Sequence, residues 1–586
     1  MATQSFDIED VTPMFCFQCE QTIHPTGCTK VGRCLKVPAI ASEQDSIVYA
    51  LKALSVVHEK AKQLNPSVDL EHVSRFLIEA LFMTLTNTNF DTAHHAKAVA
   101  QAASLLDELK NLVRAEAKCE PTAQYFNNQY VDWTPTTNDE RLHVPARLAR
   151  LGSTICGLHE LIVYSLKGSA AYGYHCLRQN KKPAALLHLL PRLLAFVASE
   201  STDVDAILSH VLLCGEANED TIRTLNTANV ADCGDPTPTP VKWGPQPGKA
   251  ILVTGHDYAA LNDLLAQIGD KPIRVYTHGE MLSAHAYPAL AAFPALAGHF
   301  GTAWQNQRFE IPMFPGPVLF TTNCLIPPPD SYKHRVFAMG PVGCDGVKRI
   351  EGGMDGQPLD FTPIIQSALD LPAFDVGEWK VDETGEETAP PTDHSRCLTR
   401  RHVLTGFGEN TLTALVPQIA DAIRQRTLKH IFVVGGCDGF ETSRHYFTDL
   451  VKATPKDTIV LTFACGRFRL NRLGLDTQEA LPGIPRLIDV GQCNDTHTLL
   501  SVLSSLAAAL HLPLTALPVS YCLSWFEQKA VADLLSLLHV GCKNIFLGPS
   551  LPLFFDHTIW SVLQDKFGLR TITNPDDDLK LMLSGQ

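Results

Sequence analysis

A chain of 586 residues has room for roughly three or four domains of about 150 residues each. With 45% hydrophobic and 19% charged residues it can bury an ample core, so metals or disulfides are not needed merely to fold it. A formal net charge of −14 and the lack of any basic run argue against nucleic acid or an anionic membrane surface as partner.

Seventeen cysteines is an odd count for a secreted chain, and the opening MATQSFDIEDVTP has neither the apolar core nor the arginines of a targeting segment. The apolar stretch 184–198 is interrupted by Pro191 and Arg192, so no membrane span is expected. A cytoplasmic setting, with reduced cysteines used for metal, is the economical expectation.

The first motif is Cys16-x2-Cys19-x8-Cys28-x5-Cys34. Four thiolates on a short Gly- and Pro-containing loop can wrap one compact centre, either an iron–sulfur cluster or a structural zinc. Zinc sites favour two Cys-x2-Cys knuckles, and only one is present. A pair of disulfides is the third possibility, disfavoured by the expected reducing compartment.

From about Ser42 to Cys233 the pattern is helical. Ser42-x-x-Asp45 resembles a capping box and predicts a helix start there, followed by Ile47, Leu51, Leu54 and Val57 at helical spacing. Further helices are predicted over 71–86, 92–117, 148–172 and 186–199, giving a bundle with up-and-down connections. His94, His95, His175 and Cys176 lie on these helices and read as packing or surface residues.

The stretch DPTPTPVKWGPQPGK, 235–249, reads as a linker. Beyond it short strands are predicted at 250–253, 273–276, 318–320 and 336–338 with helical segments between several of them, which is α/β patterning. The first three end in Gly255-His256-Asp257, Thr277-His278-Gly279-Glu280 and Thr321-Thr322-Asn323-Cys324. An acidic stretch with paired prolines at 375–396 reads as an exposed excursion.

In the last third, strands at 431–434, 458–463, 487–490 and 517–523 lead to Cys437, Cys465, Cys493 and the run Glu527-Gln528-Lys529; a fifth, at 543–547, ends in Gly-Pro. The expected fold is therefore multidomain: a helical bundle domain with the cysteine loop (1–236), then two Rossmann-like α/β domains with mainly parallel sheets (245–375 and 390–586). Random placement would not set Cys324, Cys437, Cys465 and Cys493 all just past strand ends, where parallel sheets gather ligands. With His256, Glu280 and Glu527 available, these mixed soft and hard donors suit iron bearing sulfide and oxo bridges better than one zinc ion.

The segments MFCFQCEQT, VTGHDYAAL, YTHGEMLSAHAYPAL, TTNCLIPP, VVGGCDG, TFACG, DVGQCND and SWFEQKA, in this order from Met14 to near the C-terminus, closely resemble the hybrid cluster (prismane) protein family. The resemblance implies a [4Fe–4S] cluster on Cys16, Cys19, Cys28 and Cys34, the short spacing being unlike that of the [2Fe–2S] form. It also implies a hybrid [4Fe–2O–2S] cluster on His256, Glu280, Cys324, Cys437, Cys465, Cys493 and Glu527, with Cys437 as a persulfide. Lys529 matches a lysine near that cluster; its plainer reading is a solvated helix lysine.

The implied reaction is reduction of hydroxylamine to ammonia and water by two electrons and two protons, or reduction of nitric oxide to nitrous oxide in nitrosative stress. Glu527, Lys529, His256 and Glu280 are the candidate catalytic residues. A nitric oxide or redox sensor without turnover is one rival; an enzyme like carbon monoxide dehydrogenase is another, against which the two glutamates weigh. No G-x-G-x-x-G follows a strand, so the electron donor, an NADH-dependent reductase or a ferredoxin-like protein, is expected to be separate. Cys119, Cys156, Cys176, Cys214, Cys233, Cys344, Cys397, Cys522 and Cys542 have no assigned role.

Overall fold

Among the described residues six α-helices carry the first part of the chain: α1 (Pro38–Leu64), α2 (Glu71–Met83), α3 (Thr92–Glu116), α4 (Val144–Arg178), α5 (Ala184–Ala198) and α6 (Val204–Cys233). The computed structural model describes residues 14–22, 27–117, 126–135, 139–375 and 402–584, with the backbone of 380–381 and 387–388. The stretch before Met14, Cys119, Cys397 and nearly all of 375–396 lie outside the described residues. Among the described residues no helix is long and apolar enough to cross a membrane.

The helical pattern from sequence matches α2 to α5 to within a few residues at most ends, but the start of α1 does not. It begins at Pro38 with Val37 as its N-cap, and Ser42 and Asp45 lie inside it. Proline is tolerated in a first turn because that N–H has no helical acceptor, a signal stronger here than the Ser-x-x-Asp spacing. Ile47, Leu51, Leu54 and Val57 are fully buried as their spacing requires.

The Pro-rich stretch after α6 is more than a tether. Thr239–Lys242 forms a strand, β1, which pairs antiparallel with a distant strand described below. The first sheet follows: β2 (Lys249–Thr254), β3 (Ile273–His278), β4 (Leu296–His299), β5 (Val318–Phe320), β6 (Val336–Met339) and β7 (Lys348–Ile350). All its pairings are parallel, in the order β4-β3-β2-β5-β6-β7. After β2 the chain turns into α7 (Tyr258–Ile268), capped by the Asp257 side chain.

Strand β8 (His402–Thr405) is the partner of β1. The second sheet is β9 (His430–Gly436), β10 (Thr458–Phe463), β11 (Leu487–Gly491), β12 (Val519–Ser524), β13 (Ile545–Gly548) and β14 (Arg570–Thr571), again all parallel, ordered β11-β10-β9-β12-β13-β14. Both sheets thus repeat one doubly wound order, in which the third strand lies outermost on one side and the first and fourth lie side by side. The sequence-based strands fall on these elements because each is a short, nearly continuous apolar run, as expected of strands buried on both faces.

Helix α8 (Gln528–Val540), which follows β12, is driven into the bundle. Gly168 of α4 packs on the Gln528 carbonyl and Gly215 of α6 on that of Leu535. One apolar core accordingly runs from the bundle helices into β9, β10, β11 and β12, and it brings α4 over the carboxyl ends of the second sheet.

Candidate metal centres

In a doubly wound sheet the first and fourth strands diverge to opposite faces, leaving a crevice at their carboxyl ends. His256 follows β2 and Cys324 follows β5, the two strands flanking that crevice in the first sheet, with Glu280 after the neighbouring β3. In the second sheet Cys437 follows β9 and Glu527 follows β12, again flanking the crevice, with Cys465 after β10 and Cys493 after β11. The topology therefore brings together all seven residues that the sequence singled out in the α/β region.

The side chains converge across the two sheets. Donor atoms of His256, Glu280 and Cys493 all lie within 4.8 Å of one another, and His256 Nε2 stands 3.9 Å from Glu280 Oε2. Glu280 Oε2 accepts the Cys493 backbone N–H at 3.1 Å. Cys465 is an electrostatic neighbour of both Cys324 and Glu280. Asn323 Nδ2 donates to Glu527 Oε1 at 3.3 Å and lies 3.6 Å from Cys324 Sγ. Cys324 and Cys437 are half-buried and the other five are buried.

Backbone shape serves this convergence. Gly436, at φ +105°, ends β9 so close to the Ser524 carbonyl that a β-carbon would overlap it. Cys324 and Ala464, just before Cys465, adopt φ of +71° and +56°, and non-glycine residues in that region mark positions held by their surroundings.

Lys529 is not a solvated helix lysine. It is buried, its N–H donates to Glu527 Oε2 at 2.7 Å as part of the α8 cap, and its Nζ lies 3.0 Å from His256 Nε2 and 4.0 Å from Glu527 Oε1. Burial opposes its charge, but Cys493, Glu527, Cys324 and Glu280 outweigh that and hold it firmly cationic. Burial, then Lys529, depresses the His256 imidazole, so it stays neutral with a lone pair to offer.

Burial raises the acid groups of the same cluster. It pushes up the Cys437 and Cys493 thiols, and Cys465 is raised first by its interaction with Cys324 and then by burial. The Glu280 and Glu527 carboxyls are raised by burial against the pull of Arg467 and Lys529 respectively. Glu280 Oε1 has no hydrogen-bond partner. A buried set of thiols, carboxyls and one neutral imidazole, with a carboxylate oxygen left over, is what a multi-iron centre would satisfy by binding the deprotonated forms.

The N-terminal loop also assembles. Cys16 and Cys28 exchange backbone hydrogen bonds of 3.0 and 2.8 Å. The electrostatics of Cys19 register Cys34, Cys16 and Cys28 as neighbours, and burial is the first cause raising the thiols of Cys19 and Cys34. None of the four is in a disulfide. The loop is fastened to the second sheet: Glu20 N–H donates to Phe526 O at 2.9 Å, and Gln528 Nε2 donates to Gln18 O at 2.5 Å. Cys19 shares an apolar cluster with Phe526, Trp304 and Cys465.

Several supporting residues escaped the sequence reading. Arg467, fully buried, ion-pairs with Asp489 at 3.2 Å and Glu280 at 3.8 Å, and donates to Ser283 Oγ at 2.6 Å. Thr322 meets His256 Nδ1 at 2.6 Å and so directs Nε2 inward. Tyr172 of α4 donates its hydroxyl to Asp533 at 3.1 Å and neighbours Cys493. Arg444 reaches Glu20 at 3.0 Å, Trp525 O at 2.9 Å and Cys437 O at 3.4 Å. Only Arg467 and Thr322 carried a signal, each being two residues from a strand-end cysteine. His94, His95 and Cys176 stay apart from the seven, His95 buried beside Glu43 at 3.2 Å and Cys176 donating to Thr221 O at 3.6 Å, whereas His175 lines a small cavity together with His256 and Lys529 and stands 3.8 Å from Asp257.

The profile of the Prismane/CO dehydrogenase family matches residues 14–580. The chain belongs to that family. Proteins named hydroxylamine reductase from Caldanaerobacter subterraneus, Thermodesulfovibrio yellowstonii and Zymomonas mobilis are 39%, 40% and 39% identical to it, over 97%, 97% and 98% of this chain and 99%, 100% and 100% of theirs. The carbon monoxide dehydrogenase of Thermococcus sp. AM4 shares the fold, with a TM-score of 0.52 at 14% identity over 97% of this chain and 90% of the other. So does an acetyl-CoA synthase/carbon monoxide dehydrogenase structure, with a TM-score of 0.54 at 14% identity over 97% and 86%. As a member of the Prismane/CO dehydrogenase family, the chain is an iron–sulfur protein.

Proposed function

We propose that the chain is an iron–sulfur oxidoreductase that reduces hydroxylamine, NH2OH + 2e− + 2H+ → NH3 + H2O. The observation that carries this reading is the gathering of seven sulfur, oxygen and nitrogen donors at the facing crevices of two sheets, in a chain 39% identical along nearly its whole length to proteins named hydroxylamine reductase. The mixed donor set suits a hybrid [4Fe–2O–2S] cluster held by His256, Glu280, Cys324, Cys437, Cys465, Cys493 and Glu527, with Cys437 as the persulfide. When bound, that cluster supplies electrons and a Lewis-acidic iron for N–O cleavage.

Cys16, Cys19, Cys28 and Cys34 would hold a [4Fe–4S] cluster.

The protein's own part is protonation, orientation and exclusion of water. Lys529 Nζ is a cationic proton carrier beside the donor set, 3.0 Å from His256 Nε2, and is the donor for the departing oxygen. Thr322 and Arg467 fix His256 and Glu280, so the donors need little rearrangement during turnover.

The test combines iron and acid-labile sulfide analysis, electron paramagnetic resonance, and hydroxylamine consumption with a low-potential donor. About eight irons per chain and ammonia formation are expected; about six would reduce the N-terminal centre to [2Fe–2S]. Nitric oxide binding without hydroxylamine consumption would replace this reading with a sensor, and stoichiometric nickel would replace it with a carbon monoxide dehydrogenase-like enzyme.

A further inference from the structure

Resting on that reading, electrons have to enter from outside, and the described surface offers an entry point. Among the described residues eight large hydrophobic side chains are exposed, and three of them, Val31 at 40%, Leu35 at 39% and Val37 at 45%, fall within seven residues around Cys34. The loop is compact, closed by Gly32 N–H to Lys36 O at 2.7 Å and Leu35 N–H to Gly32 O at 2.8 Å. Its apolar side chains face water, whereas most large apolar residues elsewhere are buried, and Leu35 holds φ +70°. A strained residue that buries nothing contributes little to folding.

Charge singles out the same loop. Acidic residues number 62 and basic ones 48 in the whole chain, yet from Gln21 to Ser42 there is no acid, while Lys30, Arg33 and Lys36 are basic. Lys30 and Arg33 are exposed and Lys36 is buried beneath them. An apolar centre with a charged rim is the anatomy of a recognition surface, and a local basic rim on a chain of net charge −14 selects an acidic partner.

The loop is also thin over the metal-type residues. Gly32 lies so near Cys34 Sγ that a β-carbon there would sit 3.0 Å from the sulfur. From Cys19, beyond it, the path runs through the Glu20–Phe526 contact to Glu527.

We propose that residues 29–37 form the docking surface for a small acidic electron-carrier protein, with Val31, Leu35 and Val37 as its apolar centre and Lys30 and Arg33 as its rim. The carrier delivers one electron at a time through Cys34 to the N-terminal centre, and two such deliveries balance each hydroxylamine reduced.

The test uses the iron-loaded full-length protein, a reduced bacterial ferredoxin of net negative charge as probe, a basic cytochrome c as charge control, and reduced methyl viologen as a donor needing no docking surface. Lys30→Glu/Arg33→Glu should weaken ferredoxin binding and raise the ferredoxin KM about tenfold or more, as should raised ionic strength with the unaltered protein. Viologen-driven turnover should stay within about twofold, since rim charges act on encounter and not on chemistry. Lys30→Arg/Arg33→Lys should restore binding. Three outcomes overturn the proposal: absent or equal ferredoxin binding in the unaltered and charge-reversed proteins, tighter binding of the cytochrome than of the ferredoxin, or a parallel fall of both turnover assays. Lack of hydroxylamine turnover with viologen in the unaltered protein sinks the proposed reaction instead, and ferredoxin binding still decides the docking surface.

Discussion

The backbone N–H of Glu20 donates to the carbonyl of Phe526 at 2.9 Å, so the residue after Cys19 is pinned to the residue before Glu527. One hydrogen bond therefore spans the two metal-type sites, although they lie about as far apart in the sequence as the chain allows. Arg444 reinforces it by holding the Glu20 carboxylate at 3.0 Å and the Trp525 carbonyl at 2.9 Å. The N-terminal loop is thereby fixed in register with the second sheet.

Arg444→Met tests that fastening. Arg444 is fully buried and Glu20 nearly so, and removing one member of a buried ion pair leaves the other charge unmatched. The expected loss is about 3–5 kcal/mol, read as a lower thermal midpoint, and adding Glu20→Gln should recover part of it. An unchanged midpoint would show that the tie carries no weight.

Glu527→Gln keeps the size of a side chain that caps α8 and stands among the seven donors. Hydroxylamine turnover should fall more than about tenfold, the scale on which lost metal-site interactions act, while the resonance signal of the N-terminal centre persists. Full turnover in this variant would remove Glu527 from the site.

For Lys529→Met, the expected change is in kcat and not in KM. Losing a positioned proton donor costs about 10²–10⁴-fold. Lys529→Arg should not restore the rate, because the position is enclosed by His256 at 3.0 Å and the Tyr172 ring at 5.6 Å and a planar fork cannot replace a compact ammonium. Steady-state kinetics with reduced viologen separates the two parameters.

Lys52 makes a pH prediction away from either centre. It is fully buried on α1, its Nζ has no hydrogen-bond partner, and burial followed by Arg147 lowers its pKa from 10.5 to about 7. The unfolded chain keeps this proton up to pH 10.5 whereas the folded chain releases it above about 7, so unfolding takes up a proton between those values. Stability should accordingly rise with pH across that window, the penalty being complete below it. Lys52→Met should stabilise by on the order of 1–4 kcal/mol near neutral pH and flatten this dependence. Thermal midpoints from pH 7 to 10 for both proteins check it.

The placement of the seven residues just past strand ends was legible in the sequence because the code for it is local. An apolar run followed by Gly-Gly-Cys437 or Ala-Cys465 marks a buried strand and its exit loop without knowledge of the fold. What holds the donors was not legible, since it depends on pairings such as Arg444 with Glu20 or Tyr172 with Asp533 that only the finished fold creates. A buried arginine looks like any other arginine until its partners are known. The strand at Thr239–Lys242 was hidden for a related reason: prolines on a two-stranded ribbon resemble a linker when the partner, His402–Thr405, lies in another part of the chain.

Three of the seven residues follow strands of the first sheet and four follow strands of the second. On the proposed function neither sheet alone would present a complete coordination set, so the proposed centre would have no template until both had folded and met. The β1–β8 ribbon and the Arg467–Glu280 pair span the two sheets without any metal. The proposed centre, once bound, would act as a clasp whose binding free energy adds to the cohesion between the sheets, so polypeptide assembly would come first and loading second.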